Sequence, residues 1–397
     1  AASGSVRKES LLAWPQVVPK HRPLWTMGNT IQKCAVFPAP SAADEGVCTL
    51  PNVLWDEQAK GTPGGGVSRP FLWLEVPGAE VTLLHFHANA EDLRGITGWL
   101  SDLSQCLCAN ILAIEYPGYG LLQVPHVIED LESVGDVIRS IDSAAVHALM
   151  YLVCSRCIPS ERIILHGRSI GNGPALRLAR YARDWLQLDL GGIVLQSPSL
   201  SIQQVAADWA GHAGQLLMPA YYDNMAVLRM LCSPLSGARG VRRWVPTLIV
   251  HGEKDDIIEP YHAHSLHCEA VKMGHPAVEF WLAAHATHQE WDIHKDVVHP
   301  ISMFISRHVL GTGDYGGLQG HYDIPILKGL AYHHEETLPS MSFLVDSDGS
   351  EPSLDGSWNE EHFRRRKIDG VEDAPCFDDC LKLAPGQGPA ISFFGRH

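Results

Sequence analysis

The chain has no excess of positive charge, and this absence limits what it binds. Its 397 residues carry 45 acidic and only 30 basic side chains, for a formal net charge of −15. A protein that binds nucleic acid or an anionic membrane by electrostatics needs a basic surface. The composition therefore argues against a nucleic-acid partner. About half of the acidity is local, because the residues from Gly311 onward hold 15 Asp and Glu against 7 Lys and Arg.

Long apolar runs and a disulfide framework are also missing. No stretch has the run of about 20 apolar residues that spans a bilayer, and no secretory signal peptide is recognisable. Ten cysteines are spread over the whole chain, which is typical of reduced thiols rather than of a small secreted scaffold. Neither short pair, Cys154 with Cys157 or Cys376 with Cys380, has a second half at zinc-site spacing. We therefore expect a cytoplasmic protein without a metal or other cofactor.

What the sequence does contain is 45% apolar residues, enough for a large core. Residues 1–30 lack periodicity and are predicted to be flexible, with Met27 as an alternative start. Residues 31–310 are predicted to form the catalytic domain, in which the Ala-rich and turn-rich segment 201–243 is a candidate cap. Residues 311–397 are acidic and rich in Gly and Ser, a composition that favours disorder.

Short apolar runs alternate with longer amphipathic stretches within residues 31–310. This alternation predicts an α/β fold with a mostly parallel central sheet and helices on both faces. The predicted strands are residues 71–76, 81–85, 111–115, 162–166, 192–196, 247–251 and 278–282. The apolar spacing predicts helices over residues 91–107, 138–154, 174–186 and 291–309.

One short turn contains the candidate catalytic nucleophile. Residues 162–166 predict a buried strand, the sequence GRSIG follows directly at 167–171, and Pro174 opens a helix. A GxSxG turn between a strand and a helix is the nucleophile elbow of α/β-hydrolases, in which the Ser hydroxyl is exposed on a sharp bend. Ser169 is therefore the predicted nucleophile, and the plainer interpretation is a Gly-rich turn.

A Ser hydroxyl needs a general base, and the base needs an acid that orients it. In this fold the order along the chain is Ser, then Asp or Glu, then His. Asp255 follows the predicted strand 247–251 and is the preferred acid, with Asp256 as the alternative. His288 follows the last predicted strand and is the preferred base, with His285 as the alternative.

The oxyanion that develops during acyl transfer needs two backbone donors. The amide of Ile170, directly after the nucleophile, is the first candidate. The second is the amide of Asn89, in the loop that follows the predicted strand 81–85. His85 and His87 also lie at this point, but no third metal ligand is apparent, so we interpret them as part of the loop structure.

Four segments resemble motifs of the abhydrolase domain-containing 17 group, and the resemblance extends over about residues 31–309. They are HANAED at 87–92, EYPGYG at 115–120, GRSIGNGP at 167–174 and HGEKDDII at 251–258. The resemblance implies an α/β-hydrolase fold, related to serine-aminopeptidase-type hydrolases, with Ser169, Asp255 and His288 as its catalytic triad. It also implies a protein S-palmitoyl thioesterase, whose substrate is an acylated protein or a lipid-like ester.

Two of the chain's departures from the group's pattern bear on the oxyanion loop and on membrane attachment. Ala88 stands where the group has Gly, and a Cβ there is expected to narrow the oxyanion loop or alter its φ. The group's N-terminal cluster of lipidated cysteines is replaced by the sequence MGNTIQKC. If Met27 starts the protein, Gly28 is a candidate for myristate and Cys34 for palmitate. Two acyl chains would hold the protein peripherally on a membrane, and an unmodified N-terminus is the alternative.

The leading hypothesis from the sequence is a serine hydrolase that cleaves acyl thioesters or esters through an acyl-enzyme, with depalmitoylation as the specific activity. One alternative is a general carboxylesterase or peptidase-like hydrolase of small soluble substrates. Another is a catalytically silent hydrolase fold that acts as a binding protein. The sequence predicts neither the oligomeric state nor the acyl length.

Overall fold

A single eight-stranded sheet forms the centre of the molecule. The structure, a computed structural model, describes residues 36–37, 52–56, 69–122, 133–233 and 244–311. The strands are β1 Val53–Asp56, β2 Arg69–Leu74, β3 Thr82–Phe86, β4 Asn110–Ile114, β5 Ile163–Arg168, β6 Gly192–Gln196, β7 Thr247–Gly252 and β8 Val278–Ala283. Their order in the sheet is β1-β2-β4-β3-β5-β6-β7-β8. Strand β2 runs antiparallel to both of its neighbours, and all the other pairs are parallel. The predicted α/β-hydrolase fold is confirmed.

Helices cover both faces of this sheet. They are α1 Leu93–Leu107, α2 Val134–Met150, α3 Asn172–Tyr181, α4 Ile202–Leu217, α5 Asn224–Cys232, α6 Tyr261–Lys272 and α7 His299–Phe304. Wider π-helical turns extend three of them: Tyr151–Ser155 follows α2, Ala182–Leu186 follows α3, and Ile293–Val298 and Ile305–Leu310 flank α7.

Two hydrophobic clusters, one on each face, hold the layers together. Apolar side chains of α1 and α7 pack with one set of strand residues, and those of α2, α3, α5 and α6 pack with the other. Every residue of β3, β6 and β7 is buried as a result. A parallel sheet covered on both faces needs apolar residues on both sides of each strand, which is why the centres of these strands are apolar.

All seven predicted strands are present, with ends that differ by at most two residues, but the sequence analysis did not predict β1 or the helices α4, α5 and α6. Strand β1 has only four residues, too few for a clear period. The buried face of α6 includes only Ala263, Leu266 and Ala270 as apolar residues, and polar histidines lie between them. The predicted helix 138–154 begins earlier, at Val134, because Ser133 and Asp136 form a capping box that satisfies two helix-terminal amides.

The candidate cap, residues 201–243, contains two helices with different surroundings. Helix α5 belongs to the core layer, since its apolar residues join the cluster on its face of the sheet. Helix α4 is bent at Gly211, whose φ of 59° and ψ of −147° suit only glycine. Past this bend the chain returns so closely that a Cβ on Gly214 would lie 1.9 Å from the Ala206 carbonyl oxygen. Residues 234–243 lie outside the described residues, and the cap role stays a prediction.

The prediction that no segment is apolar enough to span a bilayer is wrong for one helix. Among the described residues, Val134–Ser155 is long and apolar enough by length and composition alone, and 61% of its most apolar window is buried inside the protein. It packs against the sheet as a core helix. The predictions for residues 1–30, for Gly28 and Cys34, and for the tail beyond Gly311 lie outside the described residues.

Candidate active site

The elbow at the end of β5 holds Ser169 in a backbone conformation that few non-glycine residues adopt. Its φ is +53°, and such strain is concentrated at functional sites. The flanking glycines allow close packing. A Cβ on Gly167 would lie 2.6 Å from the Gly171 carbonyl oxygen, and a Cβ on Gly171 would lie 2.2 Å from that of Phe86. The elbow is therefore pressed against the end of β3, where the predicted oxyanion loop begins.

Asn172 locks the elbow in place, and sequence analysis missed it. Its Nδ2 donates to the Ser169 carbonyl oxygen at 2.7 Å and to that of Gln196 at 2.9 Å, and the residue is fully buried. The side chain thereby ties the turn to β6. An Asn directly after GxSxG is the signal that was available in the sequence, but its meaning depends on a contact with a strand 24 residues away.

The structure brings Ser169, His288 and Asp255 together. His288 Nε2 lies 3.1 Å from Ser169 Oγ, and His288 Nδ1 lies 2.8 Å from Asp255 Oδ2. Because a carboxylate only accepts hydrogen bonds, Nδ1 carries the proton, and the Nε2 lone pair is left to accept the Ser hydroxyl. The alternatives, His285 and Asp256, are exposed instead. The catalytic roles of the three residues remain predictions.

Backbone amides hold the acid in position. Asp255 Oδ1 accepts from the amides of Ile257 at 3.0 Å and Ile258 at 2.9 Å. Burial acts to raise the pKa of Asp255, but its hydrogen bond to His288 and the Ile258 amide outweigh burial and keep the pKa below its ordinary value. The neighbouring His251 donates from Nε2 to the Ile258 carbonyl oxygen, and burial lowers the pKa of His251 to about 4. Near neutral pH, therefore, Asp255 is charged and His251 is not.

Two tyrosines of the EYPGYG motif fix the loop that carries Asn89. Tyr116 donates to the His87 carbonyl oxygen at 2.9 Å, and Tyr119 donates to Asn89 Oδ1 at 2.8 Å. Asn89 Nδ2 donates to the Val36 carbonyl oxygen at 2.9 Å. Within the described part of the chain, the Asn89 amide donates to no backbone carbonyl. The loop is rigidly held, and its Asn89 amide is left for another acceptor.

Ala88 does not require the conformation of glycine. The left-handed φ in this loop, +57°, belongs to Ala90 and not to Ala88, and the expected narrowing of the loop by the Ala88 Cβ stays a prediction. The Ala88 side chain is 5% exposed, and its amide donates to Glu91 Oε2 at 2.8 Å. A methyl group is therefore accommodated here without backbone strain.

His85 and His87 have different partners, and only His87 lies in the loop, because His85 is part of β3. His87 stacks on Tyr116 with ring centroids 3.8 Å apart. His85 faces His166 on the neighbouring strand, with 3.2 Å between the two Nδ1 atoms. Burial lowers the pKa of both members of this second pair, that of His166 to about 4. Both are therefore neutral near pH 7, and one Nδ1–H donates to the other ring.

A cleft of about 230 Å³ opens beside the elbow on the α1 face of the sheet. It combines polar and aromatic side chains, including His85, Glu91, Arg168, Gln196, Trp99 and Trp291. Acyl chains are held by mainly apolar walls. The polar lining does not suit such a chain, so a long acyl group would need a different, more apolar surface.

Sequence comparisons find relatives among proteins of this fold. No protein-family model matches the chain. Alpha/beta hydrolase domain-containing protein aho-3 of Caenorhabditis elegans is 29% identical over 231 residues, 58% of this chain and 59% of that protein. Alpha/beta hydrolase domain-containing protein 17B of Homo sapiens is 24% identical over 236 residues, 59% and 69% of the two chains. The matched part of this chain thus spans about three fifths of the first of these relatives.

Two esterases are among the solved structures that resemble the chain, both at low sequence identity. The Pyrococcus furiosus esterase Pf2001 is 15% identical, with 65% of this chain and 92% of that chain covered and a TM-score of 0.44. A bacterial heroin esterase is also 15% identical, with 65% and 83% covered and a TM-score of 0.44.

Proposed function

We propose that this member of the α/β-hydrolase superfamily is a serine hydrolase that cleaves acyl esters or thioesters through an acyl-enzyme. One observation carries the proposal: Ser169 Oγ, His288 and Asp255 form an unbroken hydrogen-bonded chain, with contacts of 3.1 Å and 2.8 Å. The nucleophile lies on a strained elbow at the carboxyl end of β5. An activated Ser in this setting attacks an acyl carbonyl carbon.

The residues divide the reaction between them. His288 Nε2 takes the hydroxyl proton as Ser169 Oγ bonds to the acyl carbon, and Asp255 stabilises the imidazolium that forms. The amides of Ile170 and Asn89 donate to the oxyanion. His288 then gives its proton to the departing thiolate or alkoxide. Water, activated by the same imidazole, releases the carboxylic acid and restores Ser169.

We further propose that the acyl group is a long chain, such as palmitate on a protein cysteine. The motif resemblance supports this, and so does the surface of α4. Trp209 Nε1 donates to the Ile257 carbonyl oxygen at 3.1 Å, two residues after Asp255. The same helix exposes Trp209 by 67%, Leu216 by 87% and Leu217 by 69%. Apolar side chains exposed on a helix that contacts the acid loop through Trp209 favour an acyl or membrane-held substrate, in a cytoplasmic protein with peripheral membrane contact.

The test combines covalent labelling with an acyl series. A fluorophosphonate should label the protein but not Ser169→Ala, and the wild-type rate should increase from acetyl to palmitoyl thioesters. A Ser169→Ala variant with undiminished turnover would sink the hydrolase proposal. Preference for acetyl would favour a general carboxylesterase, and an unlabelled wild-type protein would favour a silent binding module.

A further inference from the structure

We infer that the ion pair of Glu91 and Arg168, here called the clamp, positions the oxyanion loop and the general base relative to the nucleophile. This inference rests on the proposed function. It concerns two residues that the sequence analysis left without a role: Arg168 fills a variable position of GxSxG, and Glu91 lies within HANAED.

Each end of the clamp makes a second contact, and each contact is with a different functional loop. Arg168 Nη1 pairs with Glu91 Oε1. The other oxygen, Glu91 Oε2, accepts from the Ala88 amide at 2.8 Å. The other terminal nitrogen, Arg168 Nη2, donates to the His288 carbonyl oxygen at 3.2 Å. Since Arg168 directly precedes Ser169, one ion pair connects the oxyanion loop, the elbow and the base.

The clamp also determines which amide of the oxyanion loop is available. The Ala88 amide is occupied by Glu91, whereas the Asn89 amide donates to no backbone carbonyl among the described residues. Without the carboxylate, the Ala88 amide would lose its acceptor, and the loop would lose a bond that the contacts of Tyr116 and Tyr119 do not replace. An oxyanion donor is effective only when it is held in place before the reaction, so the position of the Asn89 amide depends on Glu91.

The ion pair of the clamp is largely buried, which strengthens it relative to a pair on the surface. The side chains of Arg168 and Glu91 are only 14% and 19% exposed. Ion pairs in such sites are less screened by water and salt than exposed ones. The planar guanidinium contacts both acceptors from one rigid group, and lysine has no equivalent fork. Arg168→Lys is therefore not a conservative change here.

The experiment measures ester hydrolysis by the full chain, with the active-site concentration titrated by a fluorophosphonate. Glu91→Ala and Arg168→Ala should each lower kcat per labelled site by about 10- to 100-fold, with KM within about threefold, the pattern of residues that act on the transition state rather than on substrate binding. The double variant should be no slower than the slower single variant, since both changes break one unit. Glu91→Gln should recover part of the loss, because its amide oxygen still accepts from Ala88.

A neighbouring pair supplies the matched control. Arg94 lies 3.5 Å from Asp92, with side chains 20% and 12% exposed, and contacts neither the elbow nor the His288 carbonyl. Arg94→Ala should keep the wild-type kcat.

Three outcomes would overturn the clamp. The first is a kcat per labelled site in both Ala variants that equals that of Arg94→Ala, the result expected if the pair only stabilises the fold. The second is a double variant whose loss is the product of the single losses. The third applies if Glu91→Ala does not fold: Glu91→Gln and Arg168→Ala would then both have the wild-type kcat. Full activity of Ser169→Ala would instead refute the proposed function.

Discussion

Two histidine–aspartate pairs in this molecule have the same contact distance but different surroundings. His288 lies 2.8 Å from Asp255 at the carboxyl edge of the sheet, and His262 lies 2.8 Å from Asp208 where α6 meets α4. All four residues are less than one fifth exposed at the side chain. Distance and burial alone would rank the two pairs equally as candidate catalytic groups.

The two pairs differ in what the second ring nitrogen of each histidine contacts. His288 uses Nδ1 for its carboxylate, and its Nε2 lone pair faces Ser169 Oγ at 3.1 Å. His262 uses Nε2 for its carboxylate, and its Nδ1 accepts the Leu200 amide at 3.1 Å. With both nitrogens engaged, His262 has no lone pair for a substrate proton. The pair of His262 and Asp208 is thus a structural latch between α4 and α6, whereas that of His288 and Asp255 has the form of a base and its acid.

The largest effect should come from removing each histidine. His288→Ala should lower kcat on the order of 10⁴-fold, because Ser169 loses its base, and the protein should stay folded. His262→Ala should leave kcat within about threefold but lower the free energy of unfolding by about 2 to 3 kcal/mol, because the Leu200 amide loses its acceptor. Ester hydrolysis measures kcat of both variants, and urea unfolding measures their free energy of unfolding. Equal losses of kcat would show that the comparison is wrong.

Replacing each aspartate by asparagine should give the next largest difference. Asp255→Asn should lower kcat on the order of 10³-fold, because an amide NH₂ facing Nδ1 favours the tautomer whose Nε2 proton points at Ser169. Asp208→Asn keeps an oxygen that accepts from His262 and Tyr261, so kcat should not change and unfolding should become easier by about 1 kcal/mol. The pH dependence of kcat in the two variants provides the check. A fully active Asp255→Asn would remove Asp255 from the proposed mechanism.

A third histidine, His251, extends the comparison to stability. It lies 3.4 Å from Asp255 Oδ2, but burial lowers its pKa to about 4, as it does that of His166. Unfolding returns both pKa values to about 6.5. Between pH values of about 4 and 6.5 the unfolded chain binds more protons than the folded chain. The free energy of unfolding therefore falls as the pH falls, by as much as about 3 kcal/mol per pH unit for the two residues. The lowered pKa of Asp255 adds a loss only at more acid pH, where that carboxylate is protonated.

Urea unfolding at pH 7, 6 and 5 measures this slope. His251→Asn has no titrating ring, and its amide can still donate to the Ile258 carbonyl oxygen, so its slope should be smaller by about 1.4 kcal/mol per pH unit. His285→Asn, at an exposed position, is the matched control and should keep the wild-type slope. An unchanged slope in His251→Asn would mean that this ring has the same pKa in the folded and the unfolded protein.

Sequence analysis could predict the parts of the site whose residues are close together in the chain. The elbow, the strand ends that carry Asp255 and His288, and the loop of Asn89 all follow from short motifs beside apolar strands. The sequence favours His288 but keeps His285 as an alternative, because the choice depends on how a loop folds back across the sheet. The structure separates them by burial, since His288 is 6% exposed and His285 is exposed.

The clamp and the latch could not be predicted, for the same physical reason. Arg168 and Glu91 are 77 residues apart, and His262 and Asp208 are 54 residues apart. A polar contact across such a distance leaves no periodicity in the sequence, unlike the apolar faces that predict strands and helices. Helix α6, which carries His262, was missed because histidines occupy the positions between its small apolar residues.

The smallest expected effect concerns the latch alone. Tyr261 donates to Asp208 Oδ2 at 2.7 Å and stacks on His262 with ring centroids 4.2 Å apart. Tyr261→Phe removes the hydroxyl and keeps the stack, and His262 still donates to Asp208. The free energy of unfolding should fall by about 1 kcal/mol, and kcat for a short acyl ester should not change, since the latch has no group facing Ser169. A change of kcat above about threefold would show that α4 transmits the state of the latch to the acid loop, through the bond of Trp209 to the Ile257 carbonyl oxygen.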